Sequence, residues 1–200
     1  MGRRSEHTHE DLRSMAILAG NQMIAEAGFA AFSARKLAHR IGYTVGTIYN
    51  VFGTHECLIA SINGHTLDEL ALYVRQRLGA GSEGFDQLQA LATAYLDFAS
   101  THHQRWSALF EAPRGSKADV PDWYLAKREV LFQLLEAPLS RLLSNPDAVK
   151  LAANTLWASI HGICILGTSG RLADSSPSEL QAMMDNLIVN YLRGVDCAKN

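Results

Sequence analysis

The sequence predicts an all-α chain of two domains, a helix-turn-helix domain over residues 1–55 and a larger helical domain over residues 56–200. Three observations carry this. Between every break the apolar residues recur at three- and four-residue intervals, no stretch alternates apolar and polar as a half-buried strand would, and several segments open on helix-capping residues. With 200 residues, 48% of them hydrophobic, there is enough chain to bury a core in each part.

The first helix carries Leu12, Ala16, Ala19, Gly20, Met23, Ile24 and Ala27 on one face and stops at Gly28. Ser33 can cap a second, short helix whose inner face is Leu37, Ala38 and Ile41, with Arg35, Lys36, His39 and Arg40 on the other faces. Gly42 follows, where the chain must leave the helix and a residue without Cβ can turn left-handed. Thr44 can then cap a third helix of barely two turns, with Ile48 and Phe52 pointing inward. Residues 33–52 therefore read as a helix-turn-helix.

Beyond the break at Phe52-Gly53-Thr54, with Thr54 in the capping position, a long fourth helix runs to about Leu78, supported by Leu58, Ile62 and Leu70. Further breaks fall at 79–82, 114–121, 144–146 and 174–177. They separate helices around Leu88–Ala99, Trp106–Phe110 and Val130–Leu142. The last two helices have explicit starts. Asn145-Pro146-Asp147 supplies a cap, a first-position proline and an acid, and Ser176-Pro177-Ser178-Glu179 is a capping box.

The third helix is unusual for its surface: Val45, Gly46, Thr47, Tyr49 and Asn50 are small or hydrogen-bonding, with no acid among them. A core helix would be more apolar and a merely solvated one would carry charge. Short tips that can approach base edges and phosphates suit the DNA major groove. Here the chain resembles the TetR family of bacterial transcriptional regulators. The matching residues are Ala25-Glu26-Ala27-Gly28, Ser33-x-Arg35-x-Leu37-Ala38-x-x-Ile41-Gly42, Val45-Gly46-Thr47-Ile48-Tyr49-x-x-Phe52 and Glu56-x-Leu58-Ile59. The resemblance implies that Thr44, Val45, Gly46, Thr47, Tyr49 and Asn50 face DNA, and that Ser33, Arg35 and the start of the fourth helix at His55 hold phosphates. Two residues depart from the family's habit, Asn50 where His is common and His55 where Lys is common. With a reference pKa near ~6.5, an imidazole at position 55 turns a fixed cationic contact into a conditional one.

Charge is distributed in the same sense. The chain carries a net −2, yet residues 1–50 hold six Lys and Arg against four acids. The excess, with Arg3 and Arg4 in the N-terminal arm, fits a DNA-touching end on an acidic body. Cys57, Cys164 and Cys197 show no Cys-x-x-Cys spacing and read as reduced thiols of a cytoplasmic protein. No apolar leader follows Arg3-Arg4, and the charge-free run from Leu151 to Ser169 contains too many small and polar residues for lipid. No membrane partner is expected.

The two C-terminal helices are apolar over more than one face. On the first, Val149, Ala153, Leu156, Ile160 and Ile163 form one stripe and Trp157, His161 and Cys164 a second; the last carries Met183, Met184, Leu187, Ile188 and Tyr191. The expectation is a two-fold, four-helix interface between copies, with Val149, Ala153, Leu156, Ile160, Ile163, Met183, Met184, Leu187, Ile188 and Tyr191 as its residues, the alternative being one thick monomeric core. Trp157-x-x-x-His161-Gly162 is also similar to the C-terminal domain type named for Trp-His-Gly, which implies sensing and dimerisation. Trp106, Phe110, Trp123, Tyr124, Trp157, His161 and Cys164 are the candidates to line an effector cavity.

These readings converge on a homodimeric, ligand-responsive repressor that binds a palindromic operator, with no cofactor, no metal and no catalytic residues expected. A helical protein–protein adaptor and a small metal-dependent enzyme are the rival classes. The enzyme reading rests on His102-His103, but adjacent helical residues diverge by about 100° and grip one metal poorly.

Overall fold

The computed structural model describes residues 7–78, 84–111, 120–172 and 176–197, and they are entirely helical apart from their connections. In chain order the helices are α1 (His9–Ala27), a 3-10 turn (Phe29–Ala31), α2 (Ala34–Arg40), α3 (Val45–Phe52), α4 (His55–Arg77), α5 (Gly84–Thr101), α6 (His103–Glu111), α7 (Asp122–Leu142), α8 (Pro146–Thr168) and α9 (Pro177–Cys197). Three of the predicted breaks, at 79–82, 114–117 and 174–175, lie outside the described residues.

Most helix starts follow the side chains that encode them. Ser33 accepts from Lys36 N, Thr44 from Thr47 N, Thr54 from Cys57 N and Asn145 from Asp147 N. At α9, Ser176 N donates to Glu179 Oε2 at 2.7 Å while Glu179 N returns a bond to Ser176 Oγ, the reciprocal capping box. A second capping box, Thr8 with Asp11, begins α1 three residues before the apolar pattern does. In α7, Pro138 lies inside the helix and has no N–H to give to the carbonyl of Leu134.

Contacts divide the chain into two units, Met1–Glu69 with His102–Lys127, and Leu70–Thr101 with Arg128–Asn200. This differs from the expected division at residues 55 and 56. The first unit keeps most of α4 and takes in α6 and the start of α7, because Ala108 of α6 joins the core made by Leu12, Ala16, Ile24, Leu37, Ala38, Ile48, Phe52, Leu58 and Ile62. Asn63 Nδ2 also donates to the carbonyl of Ala108 at 3.1 Å. A buried polar link ties α1 to α4 in this unit. Asn21 Nδ2 donates to the carbonyls of Ile17 and Ile62, and its Oδ1 accepts from Thr66 Oγ1 at 2.8 Å.

In the second unit α5, α8 and α9 pack on one another. The approach of α8 to α9 depends on Gly167, where an added Cβ would come within 2.5 Å of Leu180 Cδ1. By length and composition alone α8 could cross a membrane. Its Ala152, Ala153, Leu156, Ile160 and Cys164 are buried in this unit's core.

Candidate functional site

The turn between α2 and α3 is built as the sequence requires. Gly42 has φ +76°, a conformation that other residues enter only with strain, and the N–H of Tyr43 closes the turn onto the carbonyl of Ala38 at 2.9 Å. On α3, Ile48, Val51 and Phe52 are buried, which fixes the helix on its domain. Gly46, Tyr49 and Asn50, at i, i+3 and i+4, occupy the opposite and exposed face, and Thr44 is exposed at its cap. Val45 and Thr47 are half-buried at its edges; Thr47 Oγ1 is 2.9 Å from Thr44 Oγ1, so the two hydroxyls hold each other. The face offers hydroxyls, an amide, a phenol and bare backbone, with no acid to repel phosphate.

The cations of this unit are mostly engaged by the protein itself. Arg40 forms a two-pronged bond to Glu26, at 2.6 and 2.7 Å, and this partnership holds the Glu26 carboxyl below its ordinary pKa. Lys36 Nζ donates to the carbonyl of Ala31. Arg13 donates to Ser61 Oγ and lies over the Phe52 ring at 4.9 Å, a cation–π contact between α1 and the end of α3. Among the described residues of the helix-turn-helix segment, exposed Arg35 is the one guanidinium with no such tie. Ser33 is half-buried with its hydroxyl engaged as a cap, and His55 is exposed as the first residue of α4. At the other end of the turn, His7 Nδ1 lies 3.0 Å from Tyr43 Oη, which brings the N-terminal arm to the α2–α3 turn. Arg3 and Arg4 lie outside the described residues.

The residues expected to line one cavity are divided between the two units. Trp106, Phe110, Trp123 and Tyr124 belong to the first unit; Trp106 is buried with its ring 5.5 Å from that of Phe110, and Trp123 lies against Gly64 of α4. Cys164 is fully buried in the second unit, where burial pushes its thiol pKa to about 12. The second unit does contain an apolar cleft, about 450 Å³ including its open mouth, walled by Val74 of α4, Leu91 and Tyr95 of α5, Leu131 and Leu134 of α7 and Trp157 and Ile160 of α8, among others. Trp157 is the one expected residue on its wall. His161 stands behind it, stacked on Trp157 with ring centroids 5.0 Å apart and 6° between planes, and its Nδ1 is 2.9 Å from Tyr95 Oη. Burial holds the imidazole pKa below its ordinary value. The other wall residues belong to apolar stripes on four helices, and periodicity does not say which stripes leave a void between them.

Of the residues expected at an interface, Val149, Ala153, Leu156, Ile160, Met184 and Ile188 are buried inside their own unit, where α5, α8 and α9 pack on one another. Ile163, Leu187 and Tyr191 are half-buried, and Met183 is exposed. The outward residues of α8 include Asp147, Lys150, Leu151, Asn154, Thr155, Ala158, Ile165 and Leu166; beyond Lys150 they carry no charged group, and Leu151 is 67% exposed. On α9 the outward residues next to Met183 are Ala182, Asn186 and Asn190.

Residues 88–191 match the family described as "Tetracyclin repressor-like, C-terminal domain", and residues 16–62 match "Bacterial regulatory proteins, tetR family". The chain belongs to the TetR family. It is a helix-turn-helix transcriptional regulator of a family that is not enzymatic, and DNA binding follows from that membership. The chain is 24% identical over 169 residues to an uncharacterized HTH-type transcriptional regulator of Mycobacterium tuberculosis, covering 84% of this chain and 74% of that protein. Among solved structures it is similar in fold to a transcriptional regulator from Rhodococcus sp. Rha1, at TM-score 0.72 and 20% identity over 91% of this chain and 96% of that one. A second is the TetR family regulator PfmR from Thermus thermophilus, at TM-score 0.60 and 18% identity over 88% of this chain and 97% of that one. The shorter family match covers the helix-turn-helix, and the longer one covers both Tyr95 and His161.

Proposed function

We propose that this TetR-family regulator is a cytoplasmic, dimeric, effector-responsive repressor. The observation that carries the reading is the exposed, acid-free face of α3, with Gly46, Tyr49 and Asn50 outward and Ile48, Val51 and Phe52 anchoring it. In a two-fold dimer two such helices would enter successive major grooves of a palindromic operator, about 34–36 Å apart. Thr44, Val45, Gly46, Thr47, Tyr49 and Asn50 would read bases and sugar, with Ser33, Arg35 and His55 at the phosphates.

The outward residues of α8 beyond Lys150, which include Leu151, Ile165 and Leu166 and no charge, together with Met183 and its neighbours on α9, support self-association, since pairing would remove their apolar area from water. The stacked Trp157–His161 pair supports our likening of residues 157–162 to the Trp-His-Gly type of sensing domain. The cleft supports an effector site, because Val74 on its wall belongs to α4, the helix that begins at His55. An effector that displaced Val74 would bias the setting of α4, and a coupling of about 1–3 kcal/mol is enough to release DNA.

Selection of bound sequences from a random duplex pool tests the proposal. A two-fold symmetric consensus with half-sites one helical turn apart is expected, and recovery of no consensus would overturn it.

A further inference from the structure

We infer that the cleft of the second unit takes an uncharged, largely hydrocarbon molecule with one hydroxyl or carbonyl group, and rejects the corresponding carboxylate. The inference rests on the cleft being the effector site proposed above and names the chemistry of its ligand.

The wall is formed by Val74, Leu91, Ala92, Leu131, Leu134, Leu135 and Ile160 with the rings of Tyr95 and Trp157, and it contains no Lys, Arg, Asp or Glu. A carboxylate that entered would leave water without meeting a cation, and an unpaired buried charge is disfavoured far more strongly than an unpaired hydroxyl. Of the charged groups of α4 and α5 nearby in sequence, Arg77 and Asp97 are engaged with each other: Arg77 lies 3.5 Å from Asp97 and covers the Tyr73 ring at 3.2 Å, while the Tyr73 hydroxyl donates to Asp97; Arg75, next to Val74 in sequence, is exposed to solvent and is not on the wall. His161 supplies no fixed charge either, since it is partly buried, stacked on Trp157 and bonded to Tyr95, with a lowered pKa.

Two of the wall residues, Tyr95 and Leu134, carry a polar group that could meet a single neutral partner. Tyr95 Oη, held by His161, presents an oxygen of fixed position. The carbonyl of Leu134, also a wall residue, lacks its usual N–H donor four residues on, because residue 138 is proline. A ligand hydroxyl can bond to either, and a hydrocarbon body fills the rest.

The test is calorimetric titration of the full-length protein at pH 8 with octan-1-ol and with octanoate, repeated with benzyl alcohol and benzoate. Each alcohol is expected to bind at least about tenfold more tightly than its ionised partner. Tyr95→Phe should weaken octan-1-ol severalfold and leave toluene unchanged, and Leu131→Arg, which installs a cation on the wall, should reverse the order within each pair. Octanoate or benzoate binding as tightly as its alcohol, or no binding by either alcohol, would overturn the inference. The same titrations made with operator duplex present separate the two claims: alcohol binding without DNA release refutes the effector reading while the ligand chemistry stands.

Discussion

Arg40 and Glu26 form a two-pronged ion pair that closes α2 onto α1, with N–O distances of 2.6 and 2.7 Å. The guanidinium is thereby committed to the scaffold, whereas Arg35, five residues earlier in the chain, is exposed and untied.

The two arginines should therefore separate in a salt titration of operator binding. Arg35→Ala is expected to flatten the slope of log K against log salt by about 1 per subunit, the signature of one lost phosphate contact. Arg40→Ala should leave the slope unchanged and act weakly on stability, as exposed pairs do. Equal slopes for the two variants would refute this division of labour.

Asn21→Ala should be among the costlier single changes in the first unit. It strands the buried Thr66 hydroxyl, at 0% exposure, and removes two donations to backbone carbonyls. The expected loss is about 1–3 kcal/mol in urea unfolding, and Asn21→Ala combined with Thr66→Val should recover part of it.

Ala158→Arg places a charge in the middle of the outward face of α8 without touching the unit's core. Sedimentation should show the dimer dissociation constant raised by at least about tenfold, a loss of at least about 1.4 kcal/mol, with helix content unchanged. Leu72→Lys, at a 55% exposed position on α4, should leave the mass unaltered. If both variants sediment as dimers, the interface lies elsewhere.

His161 predicts a pH dependence with a definite sign. Burial lowers its pKa below the ordinary 6.5, so on acidification the unfolded chain takes up this proton first. Stability from this group is complete above about pH 6.5 and falls as pH drops from there toward the lower folded-state value. His161→Phe, which keeps the ring against Trp157, should flatten the stability curve in that window when unfolding midpoints are compared between pH 7.5 and 5.5.

What was legible in the sequence is what is local. The caps at Ser33, Thr44, Asn145 and Ser176 announce their helices because each bond spans only two or three residues. The outward residues of α3 were legible because its two faces differ so sharply in chemistry. Long-range matters were not. Val149, Leu156 and Ile160 on one side of α8 and Leu151, Ile165 and Leu166 on another are equally apolar as letters, and only packing reveals that the first set is inside. Trp106 and Trp157 are both aromatic, yet the chain's return through α6 assigns Trp106 to the first unit, while Trp157 is on the wall of the second unit's cleft. Thr8 is a cap that is hard to see in the letters, because its box partner is Asp rather than the usual Glu or Gln.

Cys164 has a practical meaning for anyone handling this regulator. A sulfur that stays protonated until about pH 12 and has no exposed surface is a poor nucleophile at neutrality. Peroxide and alkylating reagents will therefore pass it by in the folded state, and a maleimide that does reach it reports that the second unit has come apart.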